Sequence, residues 1–247
     1  MLLKGKNIVI TGCLQGIGKA TLEVCAQNGA NIWACALAPS SEFEQYCKEL
    51  SASNGTWIKP IYFDLLQSEQ IKAAVKEISS DKLPVDALIN VAGMTKDALF
   101  QMVSMDQARL VFEVNFFSQM YLTQYITKLM LRRKKGSVIN VSSISALDGS
   151  AGQFAYSSSK AALIGATRTL SVELAPHGIR VNAIAPGVIA TDMTKDLPAN
   201  VIEGHIKNMD IKRLGLPEEV GNAILFLASD LSDYVTGQVI RIDGGIR

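Results

Sequence analysis

The sequence predicts an α/β chain folded as a single-domain, doubly wound parallel sheet of seven strands with helices on both faces. Short β-rich runs alternate with helical stretches along all 247 residues. The β-rich runs are apolar almost throughout instead of alternating with polar residues, as expected of strands covered on both faces. Connections are short and no Gly/Pro/Ser-rich linker divides the chain, so one domain spans residues 1–247.

In chain order the strands fall at 7–11, 31–37, 57–63, 86–90, 137–142, 180–185 and 238–242. Helical patterns occupy 16–28, 41–50, 68–78 with Ser68 as cap, a long 105–131, 155–174, and 217–228 with proline in its first turn. The one long irregular stretch, 186–216, is rich in Gly, Pro and Asp, and loops of that length are uncommon unless functional. It is a candidate substrate lid.

Composition narrows the function. A hydrophobic content of 48% supports a sizeable core, and the net charge of +1 gives no reason to expect nucleic acid. The basic run Arg132-Arg133-Lys134-Lys135 sits where a helix should end, favourably placed for the helix dipole. No apolar run reaches the roughly 18 residues of a membrane span. The first residues lack the apolar core and cleavage site of a signal peptide, so a cytoplasmic protein is expected. Cys13, Cys25, Cys35 and Cys47 form no Cys-x-x-Cys pair and His177 and His205 lie far apart, so buried thiols are expected and no metal site. There is no Gly-x-Ser-x-Gly.

After the first strand comes Thr11-Gly12-Cys13-Leu14-Gln15-Gly16-Ile17-Gly18. A glycine-rich turn opening a helix lets a pyrophosphate approach the backbone at the helix N-terminus, the logic of a Rossmann-type dinucleotide site. Asp64-Leu65 is placed to meet an adenine amino group, Asn90-Val91-Ala92-Gly93 a ribose, and Pro186-Gly187 leads to Thr191, a hydroxyl for a carboxamide. Each segment reads equally as a turn, a cap or ordinary packing.

Tyr156 and Lys160 are four apart on a helix, hence on one face with about 5–6 Å between Cβ atoms. Six tyrosines and sixteen lysines would give roughly 0.4 such pairs by chance, so the spacing needs company. It has it. The glycine turn, Asn90-Val91-Ala92-Gly93, Asn115, Ser143, Tyr156, Lys160 and Pro186-Gly187 occur in the order and spacing of the short-chain dehydrogenase/reductase family. The resemblance covers essentially the whole chain, through Arg213–Val220 and Asp243-Gly244-Gly245, and is greatest to the 3-oxoacyl-[acyl-carrier-protein] reductases.

The resemblance implies that Ser143 binds the substrate carbonyl, with Ser142 as its competitor for that role. Tyr156 gives the proton, Lys160 holds the nicotinamide ribose and biases the tyrosine, and Asn115 holds a water of the proton relay. It also implies cofactor contacts from Gly12, Gln15, Gly16, Ile17, Gly18, Asp64, Leu65, Asn90, Ala92, Gly93, Tyr156, Lys160, Pro186, Gly187, Ile189 and Thr191. A positive charge about 5 Å away is worth roughly 3 kcal/mol at an effective dielectric of about 20. That would bring Tyr156 towards a pKa of about 8.

Where NAD-preferring members carry Asp after the second strand, this chain has Ala36; no base stands at Gln15 or after Leu37, and Ser40 and Ser41 are the nearby neutral donors. NADP(H) is therefore expected over NAD(H). Val91 replaces the more usual asparagine. The expected substrate is a 3-oxoacyl thioester, carried by an acyl-carrier protein. Lys134 stands near one position where such reductases place an arginine to meet that acidic partner, and His177 takes the other, a departure that weakens the carrier-protein reading. A sugar, steroid or small-alcohol dehydrogenase, read at Met94, Leu147 and Phe154, and a non-catalytic nucleotide-binding regulator are the alternatives. A homotetramer is expected from the family.

Overall fold

The computed structural model describes residues 1–192, 194–195 and 199–246. It opens with β1 (Asn7–Thr11), α1 (Gly16–Gln27), β2 (Asn31–Ala36), α2 (Ser41–Asn54), β3 (Ile58–Tyr62), α3 (Ser68–Ser80) and β4 (Ala87–Asn90). It continues through α4 (Met105–Phe112), α5 (Ser118–Leu131), β5 (Gly136–Val141), the short α6 (Ser145–Asp148) and α7 (Phe154–Leu174). β6 (Ile179–Pro186), α8 (Ala199–Lys207), α9 (Pro217–Ala228) and β7 (Val239–Ile242) complete it.

The seven strands form one parallel sheet in the order β3-β2-β1-β4-β5-β6-β7. Side chains alternate between faces, so the apolar strands feed two cores. Ile8, Ile10 and Ile32 pack with Leu22 of α1, Phe43 of α2 and Ile224 of α9. Val9, Trp33, Leu88 and Val138 pack with Ile71 of α3 and Leu122 and Ile126 of α5. The chain reverses direction across the sheet between β1 and β4, where a crevice opens beyond the carboxyl ends of the strands.

Three expectations need correcting. The helix expected over 105–131 is interrupted by a wide turn at Glu113–Phe117. Asn115 is the reason: its amide accepts the Met94 N–H (2.8 Å) and donates to the Met94 carbonyl (2.9 Å) and to Ser159 (3.1 Å), contacts a straight helix would not aim. The second helix runs past residue 50 to Asn54, because its left-handed stop is Gly55 (φ 65°). The 186–216 segment is also not irregular throughout. It carries α8, and its ends are zipped by Ala190 N–H to the Gly215 carbonyl (2.9 Å) and Gly215 N–H to the Val188 carbonyl (3.1 Å). Positions 193 and 196–198 of that candidate lid lie outside the described residues.

Candidate active site

The glycine turn is built by steric necessity. A Cβ on Gly18 would sit 1.9 Å from the Gly12 carbonyl oxygen, and one on Gly12 (φ +75°) would press on Ala92 Cα at 3.0 Å. Thr11, the first residue of the motif and given no role by the sequence, accepts the Val91 and Ala92 N–H groups (3.0 and 3.1 Å) and so holds the end of β4 against this turn. The N-terminus of α1 follows Gln15 with no side-chain cap and no acidic residue in its first turn. Its amide donors are left for a ligand, which is what a pyrophosphate requires.

The turn forms one end of a cavity of about 620 Å³. Gln15, Gly16, Ile17, Asp64, Leu65, Ala92, Gly93, Ser143, Tyr156, Lys160, Pro186, Gly187, Ile189 and Thr191 all line it. The size and the mixed apolar and polar lining suit a dinucleotide. Thr194, not anticipated, fixes Thr191: its hydroxyl accepts the Thr191 N–H (3.0 Å) and donates to the Ile189 carbonyl (2.7 Å). Asp64 accepts the Leu66 N–H (2.9 Å), which holds its carboxylate at the cavity wall.

Asn90 is different. It is fully buried, and its amide donates to Thr123 and to Asn140 (2.9 Å each). The side chain expected at the ribose is therefore turned into the core, where it ties β4 to β5 and α5. Asn115 too is fully buried and lies outside the cavity lining. It reaches the site indirectly: a Cβ on Gly93 would meet both Asn115 Oδ1 and Lys160 Nζ at 3.2 Å.

Ser142 and Ser143 are distinguished by their partners. The Ser142 hydroxyl donates to the Lys160 carbonyl (2.8 Å) and is buried. Ser143 Oγ accepts from the Ser145 hydroxyl (2.9 Å) and the Ser145 N–H (3.2 Å), and it faces the cavity beside Tyr156. Ser143 is the hydroxyl available to a substrate.

The electrostatics overturn one expectation. Burial raises Tyr156 above the ordinary phenol value; the hydrogen bond with Ser143 pulls it down and Asp97 pushes it up. It is Lys160 that falls to about 8, because its ammonium is buried. Lys160 Nζ donates to the Val141 carbonyl (2.8 Å) and stands 5.8 Å from the Tyr156 ring centroid.

The basic positions proposed for a carrier protein are also displaced. Lys134 and His177-Gly178 adjoin each other, but at the start of β5 and β6, where Gly136 N–H donates to the Gly178 carbonyl (3.2 Å). Ser143 lies beyond the other end of β5, six residues or about 20 Å along the strand. Within one chain they do not border the cavity mouth.

A doubly wound sheet with a glycine-cradled crevice and a tyrosine, serine and lysine converging at its far end defines a dinucleotide-dependent oxidoreductase. The chain belongs to the short-chain dehydrogenase/reductase family, whose members act on alcohol and ketone groups with NAD(P). Residues 12–247 match the family described as enoyl-(acyl carrier protein) reductase. The chain is 41% identical over 246 residues to a 3-oxoacyl-[acyl-carrier-protein] reductase of Thermotoga maritima, covering 100% of this chain and 99% of that one. A 3-oxoacyl-[acyl-carrier protein] reductase with bound NAD from Brucella melitensis superposes with a TM-score of 0.89 at 31% identity, over 98% of this chain and 91% of that one. A putative gluconate dehydrogenase from Agrobacterium tumefaciens gives a TM-score of 0.94 at 29% identity, over 98% and 96%.

Proposed function

We propose that this protein is an NADP(H)-dependent reductase of 3-oxoacyl thioesters. The observation that carries the reading is the pair of hydroxyls, Ser143 and Tyr156, meeting in the cavity beside its one cation among the described lining residues, Lys160. The relatives named as 3-oxoacyl-[acyl-carrier-protein] reductases support the substrate class.

The glycine turn and the α1 N-terminus would hold the pyrophosphate, and Lys160 the nicotinamide ribose. When bound, the dinucleotide supplies the hydride. Ser143 donates a hydrogen bond to the substrate carbonyl oxygen, and Tyr156, neutral because burial raises it, gives that oxygen its proton. Asn115 holds the segment at Met94 and Gly93 against Lys160 and is the outlet proposed for a water relay.

The preference for NADP(H) rests on Ala36 at the end of β2: no carboxylate stands there to repel a 2′-phosphate. Ser40 accepts the Phe43 N–H as the α2 cap (3.3 Å), which orients its hydroxyl and leaves its proton for a phosphate oxygen. A carrier protein meeting Lys134 and His177 would reach the active site only of another copy. That fits a homotetramer built on the α5 and α7 groove, where Phe117 is exposed; sedimentation as a monomer would refute it. Four buried free thiols support a reducing, cytoplasmic setting.

A sugar dehydrogenase is the second reading, favoured by the likeness to the putative gluconate dehydrogenase. Oxidation of NADPH and of NADH, followed with acetoacetyl thioester and with a keto-sugar acid, separates the two. Turnover should favour the thioester and fall by at least about 100-fold in Tyr156→Phe. Undiminished turnover in that variant removes Tyr156 as the acid.

A further inference from the structure

α6 is four residues long, too short to hold itself in place by its own hydrogen bonds. Yet it begins two residues after the serine whose hydroxyl must point at a substrate. Its position is set by contacts at both ends. At the start, Ile144 N–H donates to the Pro186 carbonyl (3.0 Å). At the far end, the Asp148 carboxylate takes two hydrogen bonds from Arg241 of β7, at 2.9 and 2.6 Å. Arg241 is itself fixed by its Nε–H to Asp243 (2.7 Å), and Asp243 accepts the Gly245 N–H (3.0 Å). All three guanidinium nitrogens are thereby engaged. A planar fork held in this way orients a carboxylate far better than a single surface ion pair does.

Inside α6, the buried Ser145 gives both its hydroxyl and its N–H to Ser143 Oγ. A hydroxyl oxygen has two acceptor positions and one proton. With both acceptor positions filled by Ser145, the Ser143 proton has only the cavity side to turn to, where Tyr156 stands.

We propose that Ser145 is a positioning residue that fixes Ser143 as a hydrogen-bond donor toward the substrate carbonyl, and that the Asp148–Arg241 pair keeps Ser145 at its post. The inference rests on the reading of Ser143 given above. Ser143 free of Ser145 could turn its proton away from the substrate, so a fraction of bound complexes would lack the bond that polarises the carbonyl. The loss should fall on turnover and not on cofactor binding. Ser145 and Asp148 both lie outside the cavity lining.

The test is a double-mutant cycle, with turnover of acetoacetyl thioester and the dissociation constant of NADPH read for each variant. Ser145→Ala should lower kcat by about tenfold, Ser145→Thr should restore most of it, and Asp148→Asn should lower it by a few-fold. NADPH affinity should stay within about twofold in all three. In a Ser143→Ala background, Ser145→Ala and Asp148→Asn should each cost less than about twofold more. Equal losses with and without Ser143, or no loss in either background, would overturn the proposal. Thermal melts restrict the comparison to folded variants; if Asp148→Asn does not fold, Arg241→Lys, which keeps the charge and loses the fork, takes its place with the same expectation. Full activity of Ser143→Ala alone would instead refute the role of Ser143, an outcome distinct from a failure of Ser145 to act through it.

Discussion

Lys160 Nζ is hydrogen-bonded to the Val141 carbonyl at 2.8 Å and stands 5.8 Å from the centroid of the Tyr156 ring. The lysine that spacing alone pairs with the tyrosine is thus anchored to the end of β5. Its charge is buried with no carboxylate beside it among the described residues, and this is why it, and not the phenol, titrates low.

A pH-dependent stability follows. Lys160 titrates at about 8 in the folded protein against 10.5 for its ordinary value. Between those limits the unfolded chain binds more protons, so this group makes stability rise with pH, and below pH 8 its full cost is present. The whole change is on the order of 3 kcal/mol. In urea unfolding without cofactor, the stability of the wild type relative to Lys160→Met should climb between about pH 8 and 10.5. A difference constant with pH would mean that Lys160 titrates normally.

The buried thiols act in the opposite direction. Burial raises Cys25 from 9.0 to about 12, and raises Cys13 and Cys35 as well. Above about pH 9 the folded protein retains protons that the unfolded chain releases, so stability falls as pH rises. Each thiol contributes a slope of about 1.4 kcal/mol per pH unit. Cys25→Ala should make the decline above pH 9.5 shallower by roughly that amount, and an unchanged slope would count against burial as the cause.

Catalysis should show its own asymmetry. Because burial keeps Tyr156 neutral, ketone reduction should be nearly flat through neutral pH, whereas alcohol oxidation, which needs the phenolate, should keep rising into the alkaline range. Superimposable profiles in the two directions would sink this assignment.

Gly18→Ala tests the cradle. Its Cβ would sit 1.9 Å from the Gly12 carbonyl oxygen, backbone against side chain, so the turn must move. Overpacking of this kind costs about 1–3 kcal/mol, and dinucleotide affinity measured by calorimetry should fall by at least about tenfold. Native affinity in this variant would show that the turn does not hold the pyrophosphate.

The features legible in the sequence are local ones. The β–α alternation, the glycine turn and the Tyr156–Lys160 spacing each depend on residues a few positions apart, where strand and helix periods fix which side chains share a face. What escaped depends on contacts between distant segments. Asn115 breaks its helix because Met94 and Ser159 lie across from it. Asn90 turns inward because Asn140 and Thr123 offer it partners. Tyr156 moves up and not down because burial outweighs the hydrogen bond from Ser143.

By itself the sequence determined the alternation of strands and helices and the glycine turn, since covalent neighbours and backbone periodicity suffice for those, and the family resemblance supplied the chemical class of the groups. Only the tertiary structure decided which of two adjacent serines commits its proton to the backbone, which asparagines leave the cavity, and that burial suppresses the charges of Tyr156 and Lys160 alike. Each of these turns on the direction of a side chain and the water it excludes, and both are set by packing between elements far apart in the chain.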